Sequence, residues 1–96
     1  ETYSLEGEAV FIVGRSPDSD LIVDLDAVSR KHVIIELRRG RFILSDTSTN
    51  GTYVYPEDSE SIYLRRQSLP LWGRGQFTVG APVTAGGRYV IGYKHD

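Results

Sequence analysis

The chain has 96 residues, 40% hydrophobic and 25% charged, with a net charge of −2 and neither cysteine nor methionine. Its length suits one domain with a single core. The composition excludes a disulfide framework, a thiol metal ribbon and recruitment of nucleic acid by bulk charge.

Read in chain order, the pattern has period two, and no amphipathic helix emerges. Residues 9–13 (Ala-Val-Phe-Ile-Val) form the longest apolar run, far short of the ~20 residues that span a membrane. Together with residues 21–23 it predicts short strands buried on both faces. Between them, Gly14-Arg15 opens a Ser-Pro-Asp-Ser-Asp loop. Residues 16–28 carry only acidic charges, at Asp18, Asp20, Asp24 and Asp26, and basic residues flank them: Arg15 before, Arg30 and Lys31 after. Ser29-Arg30-Lys31-His32 leads into a strand in which Val33, Ile35 and Leu37 alternate with Ile34, Glu36 and Arg38. Arg39-Gly40 is a hairpin turn, and residues 41–45 return as the second strand. Asp46-Thr47-Ser48-Thr49-Asn50-Gly51-Thr52 follows, and its Asn-Gly step is a strong hairpin signal. Residues 56–61 form an acidic loop, and residues 62–64 a short strand. Pro70 excludes a central strand at its position, and Trp72 is expected to cap the core. Phe77 and Val79, then Tyr89, Ile91 and Tyr93, alternate as strands, with Gly86-Gly87 as a hairpin turn before the latter. Many short strands with frequent turns predict an all-β antiparallel sandwich or barrel.

Three polar clusters interrupt this β pattern: Gly14-Arg15, Ser29-Arg30-Lys31-His32 and Ser48-Thr49-Asn50-Gly51-Thr52. Taken singly, each reads as a solvated turn. Each stops a strand, so together they are expected at loop tips on one end of the domain. Arginine forks, hydroxyls and an amide suit a phosphate and the backbone beside it.

Gly-Arg, then Ser-x-x-His opening a strand, then Ser-x-Asn-Gly-Thr in a turn, resembles the forkhead-associated (FHA) family from residues 11 to 54 and, more loosely, to the C-terminus. The resemblance implies an antiparallel β-sandwich of about eleven strands that binds phosphothreonine peptides through loops at one end. It implies that Arg15 and Ser29 bind the phosphate and that Arg30 contacts the phosphate or the peptide backbone. Thr49 would help hold the phosphothreonine, Asn50 would hydrogen-bond the adjoining peptide main chain, and Lys31 would be a secondary contact. Gly14, His32 and Gly51 would be architectural. No cofactor or metal is implied.

Family members that read the third residue after the phosphothreonine through a cation often carry it shortly before the serine. Ala27 and Val28 stand there, so that choice is not expected. The acidic loops instead predict neutral or basic residues around the phosphothreonine. Residues 55–76 resemble FHA modules of bacterial signalling proteins such as nucleotide cyclases. With no initial methionine, residues 1–96 read as a single domain cut from a longer protein. No signal peptide is visible, and a cytoplasmic setting is expected.

Three rival readings stand beside this one. Ser29, His32 and Asp46 suggest a hydrolase triad, but no nucleophile elbow accompanies them. A nucleic-acid barrel would need a basic groove between its aromatics. An FHA-like domain making phospho-independent protein contacts is the alternative function.

Overall fold

The computed structural model describes residues 10–82 and 90–95. Nine strands fall within them, against the eleven or so implied by the resemblance: β1 (Val10–Gly14), β2 (Leu21–Ile22), β3 (Val33–Arg38), β4 (Arg41–Asp46), β5 (Thr52–Pro56), β6 (Ile62–Leu64), β7 (Ser68–Leu71), β8 (Gly73–Val79) and β9 (Ile91–His95). They form a five-stranded sheet in the order β2-β1-β3-β4-β7 and a four-stranded sheet in the order β6-β5-β8-β9. Every pairing is antiparallel except β1 with β2. The predicted Gly86-Gly87 turn and Tyr89 lie outside the described residues.

The period-two pattern supplies the core. Val33, Ile35, Leu44 and Leu71 of one sheet and Val54, Phe77 and Ile91 of the other are at most 2% exposed. The outer face of the five-stranded sheet is open, however. Val10 and Ile22 are each 47% exposed, so the first two strands are not buried on both faces as expected. Trp72 is also not a core cap. It is 57% exposed, and the Arg41 guanidinium lies 4.3 Å from its ring centre. Pro70 is accommodated because β7 is an edge strand, where a missing N–H costs no ladder bond on the open side. Arg39 and Gly40 both take positive φ, at 53° and 77°, and close the predicted two-residue hairpin.

The Asn-Gly step does something else. β4 belongs to the five-stranded sheet and β5 to the four-stranded one, so residues 47–51 cross between sheets rather than close a hairpin. The register then puts the clusters at one end. Val13, the last residue but one of β1, pairs with Val33, which pairs with Asp46 at the end of β4. Thr52, at the start of β5, pairs with Leu64 and Val79, the last residues of β6 and β8. Loops 15–20, 23–32, 47–51 and 65–67 therefore converge at this end.

Candidate functional site

Backbone hydrogen bonds lace the first two loops together. The Arg15 N–H donates to the Ser29 carbonyl (3.0 Å), Ser16 N–H to the Arg30 carbonyl (3.1 Å), and His32 N–H to the Val13 carbonyl (2.9 Å). Gly14 permits this approach, since a Cβ there would overlap the Arg30 carbonyl oxygen. Arg15 and Arg30 thus stand together at the surface. With Ser16 and Pro17 they line an open pocket of about 440 Å³. A second hollow adjoins it, where Arg30 is joined by Lys31, Ile12, Ser16, Asp18 and Ser19.

The third loop is bound to the second. The Thr49 N–H donates to Ser29 Oγ (3.1 Å), and Asn50 Nδ2 donates to the Ala27 carbonyl (2.9 Å). Thr47 Oγ1 donates to the Lys31 carbonyl (2.6 Å). Ser29 Oγ is therefore an acceptor towards the protein, and its own proton is left to donate to an anion. Asn50 keeps a second N–H and its Oδ1, neither with a partner among the described residues.

His32 is fully buried and braces all of this. Its Nδ1 accepts from the Ser29 N–H (3.0 Å), so Nε2 carries the proton and donates to the Gly51 carbonyl (2.6 Å). Burial lowers its pKa from the usual 6.5, against the opposing pull of the Gly51 carbonyl and the Asp46 charge. Below about pH 6.5 the unfolded imidazole takes up a proton that the folded one resists. Stability should therefore fall as pH drops below about 6.5, by up to ~1.4 kcal/mol per unit. Urea unfolding between pH 7.5 and 5.5 checks this, and a flat profile would count against it. The hydrolase triad also fails here, because His32 meets the Ser29 backbone rather than its hydroxyl.

Asp46 lies beneath the loops, and its side chain is wholly buried. Its Oδ1 accepts from Ser48 Oγ (2.7 Å) and Thr52 Oγ1 (2.6 Å), and its Oδ2 from the Ser48 N–H (3.1 Å) and the Arg66 N–H (2.8 Å). Burial pushes its pKa up, but these four donors outweigh burial and hold the carboxyl below its usual 3.8. The stability it contributes is present above about pH 4 and is lost as pH falls through the lowered value. Ser48, 1% exposed, also accepts from the Gly51 N–H (2.7 Å) and so shapes the turn.

Tyr63 buttresses the turn from outside. Its hydroxyl donates to the Asn50 carbonyl (3.1 Å), and its ring covers Gly51 so closely that a Cβ there would collide with it. Gly51 also has φ +91°, so its two constraints coincide. Tyr63→Phe should cost about 0.5–1.5 kcal/mol of stability, and Gly51→Ala more, as read by thermal unfolding.

All the residues singled out in the sequence meet at this end. Arg15 and Arg30 line the pocket and Lys31 the hollow beside it. Ser29, Thr49 and Asn50 lie in the adjoining loops, tied together by hydrogen bonds, and Gly14, His32 and Gly51 hold those loops. Asp46, Ser48, Tyr63 and Arg66 have structural roles here that the motifs did not assign. Asp46-x-Ser48 carried a local signal, a carboxylate placed to cap the N–H two residues on. Tyr63 and Arg66 arrive from a distant turn and carried none.

The FHA domain family profile matches residues 11–70. The glycogen accumulation regulator GarA of Mycobacterium tuberculosis is 41% identical over 58 residues, covering 59% of this chain and 36% of GarA. The chain thus spans about a third of that relative's length. Among solved structures, the N-terminal FHA domain of Saccharomyces cerevisiae Rad53p in complex with a phosphothreonine peptide superposes with a TM-score of 0.68 at 25% identity, covering 88% of this chain and 67% of that one. The FhaA FHA domain complexed with the intracellular domain of Rv3910 gives 0.58 at 28% identity, covering 76% and 74%.

Proposed function

This chain belongs to the FHA domain family, and from that premise we propose that it recognises phosphothreonine in a partner protein and makes that contact depend on phosphorylation. The observation that carries the reading is the position of Ser29. Its hydroxyl oxygen is occupied by the Thr49 N–H, while Arg15 is tied to its carbonyl and Arg30 follows it in the chain. Two exposed guanidinium groups line one open pocket, and the Ser29 hydroxyl, with its proton free to donate, sits on the loop that carries Arg30. That is a donor set for a dianionic, tetrahedral group. Asn50 stands across the loop with amide atoms to spare for the peptide main chain.

The module itself binds and does not catalyse. We place it in phosphorylation-dependent signalling in the bacterial cytoplasm. An attached effector such as a nucleotide cyclase would be identified directly from the parent sequence.

The test is a degenerate peptide library centred on phosphothreonine, run against the same library centred on threonine. Binding confined to the phosphorylated set is expected. Equal capture from both sets would refute this reading and favour phospho-independent contacts.

A further inference from the structure

Two described residues other than glycine have positive φ: Arg39 and Arg66. Arg39 is explained by its hairpin with Gly40. Arg66, at φ 56°, stands in the β6–β7 turn, where the left-handed backbone aims its N–H at Asp46 Oδ2 (2.8 Å). That backbone role needs no side chain, and glycine would fill it with less strain. The side chain nevertheless has a defined place. Arg66 Nε donates to the Ser48 carbonyl at a long 3.5 Å, one residue before Thr49, whose N–H holds Ser29 Oγ.

The charges around it are unbalanced. Neither Arg65 nor Arg66 enters an ion pair among the described residues. The one carboxylate beside Arg66 is Asp46, which is buried and committed to four donors. The acidic residues of this end, Asp18, Asp20, Asp24 and Asp26, belong to the loops after β1 and β2. Glu57, Asp58 and Glu60 sit in the β5–β6 turn, at the opposite end. The rim of the site is thus divided: the first two loops mix the cations Arg15, Arg30 and Lys31 with four aspartates, whereas the β6–β7 turn carries only cations.

We propose that Arg66, with Arg65 adding charge, is a specificity-determining contact that receives the carboxylate of an Asp or Glu flanking the phosphothreonine. Held through Nε, its guanidinium keeps both terminal nitrogens for a planar partner, and a carboxylate matches that fork. The expectation of neutral or basic neighbours then applies only to the side of the peptide that faces the first two loops. The proposal rests on the phosphothreonine reading above.

The experiment measures affinities of phosphothreonine peptides carrying Glu or Gln at each flanking position in turn. The proteins are the unaltered domain, Arg66→Gly and Arg66→Lys. At one position the unaltered domain should favour Glu by about threefold to fivefold, and the preference should shrink in high salt. Arg66→Gly should abolish it, while affinity for the Gln peptide stays within about twofold and the melting temperature holds or rises. Arg66→Lys should keep part of it. No Glu preference at any position, or the same preference in Arg66→Gly, overturns the proposal while leaving phosphothreonine binding intact. If phosphorylated and unphosphorylated peptides bind alike, both readings fall. Should Arg66→Gly not fold, Arg66→Gln decides by the same Glu-to-Gln ratio.

Discussion

Asp46→Ala should destabilise the domain by about 3–5 kcal/mol, more than any substitution in the loops it supports. The change removes a buried anion and orphans the Ser48 N–H and hydroxyl, the Thr52 hydroxyl and the Arg66 N–H at once. Each buried donor left unpaired costs roughly 1–3 kcal/mol. Water entering the vacated volume recovers part of that, which keeps the total below the sum. For a domain of this size the melting temperature should drop by roughly 15–30 °C. Asp46→Asn should cost less, because the amide retains one acceptor oxygen, but its Nδ2 would face donors. Thermal and urea unfolding of the two variants give the ranking. An Asp46→Ala protein as stable as the unaltered domain would show that the network does not hold the loops.

Arg15→Ala should act in the opposite sense, leaving stability within about 0.5 kcal/mol and lowering phosphothreonine-peptide affinity roughly tenfold to a hundredfold. The side chain is exposed, and its structural hydrogen bond is made by the backbone, which alanine keeps. What is lost is a charge-assisted bond to the phosphate, about 1.5–3 kcal/mol. Ser29→Ala should also weaken binding, and it leaves the Thr49 N–H without its acceptor, so some stability goes with it. Because Arg15 and Ser29 would grip one group, the double variant should lose less than the sum of the two. Titration calorimetry with matched phosphorylated and unphosphorylated peptides measures all of this. An Arg15→Ala protein that binds as tightly as the unaltered one would remove Arg15 from the site.

Much of this was legible from order alone. Strand alternation around Val33-Ile35 and Phe77-Val79 located the core, and the three polar clusters marked the end where the loops gather. The errors have a common cause. Trp72, residues 9–13 and residues 21–23 were judged by their own hydrophobicity, whereas their exposure is set by which sheet face the register turns to solvent. Local turn chemistry at Asn50-Gly51 signals a turn and favours a hairpin. Only pairing partners distant in sequence reveal that its flanking strands lie in different sheets. Arg66 was illegible for the same reason, since its neighbours Asp46 and Ser48 lie some twenty residues away.

The Gly51 carbonyl oxygen accepts from two sides, from His32 Nε2 on the loop of the five-stranded sheet and from the Gly80 N–H at the end of β8. One atom therefore buttons the two layers together directly beneath the turn that would touch the ligand. The recognition loops are thus the closure of the sandwich itself, not attachments to a finished scaffold. A partner bound across them resists separation of the layers, and ligand at a hundred times its Kd would add about 2.7 kcal/mol to the folded state. Phosphorylation of a partner would in this way be felt as added stability of the whole domain and not of its loops alone.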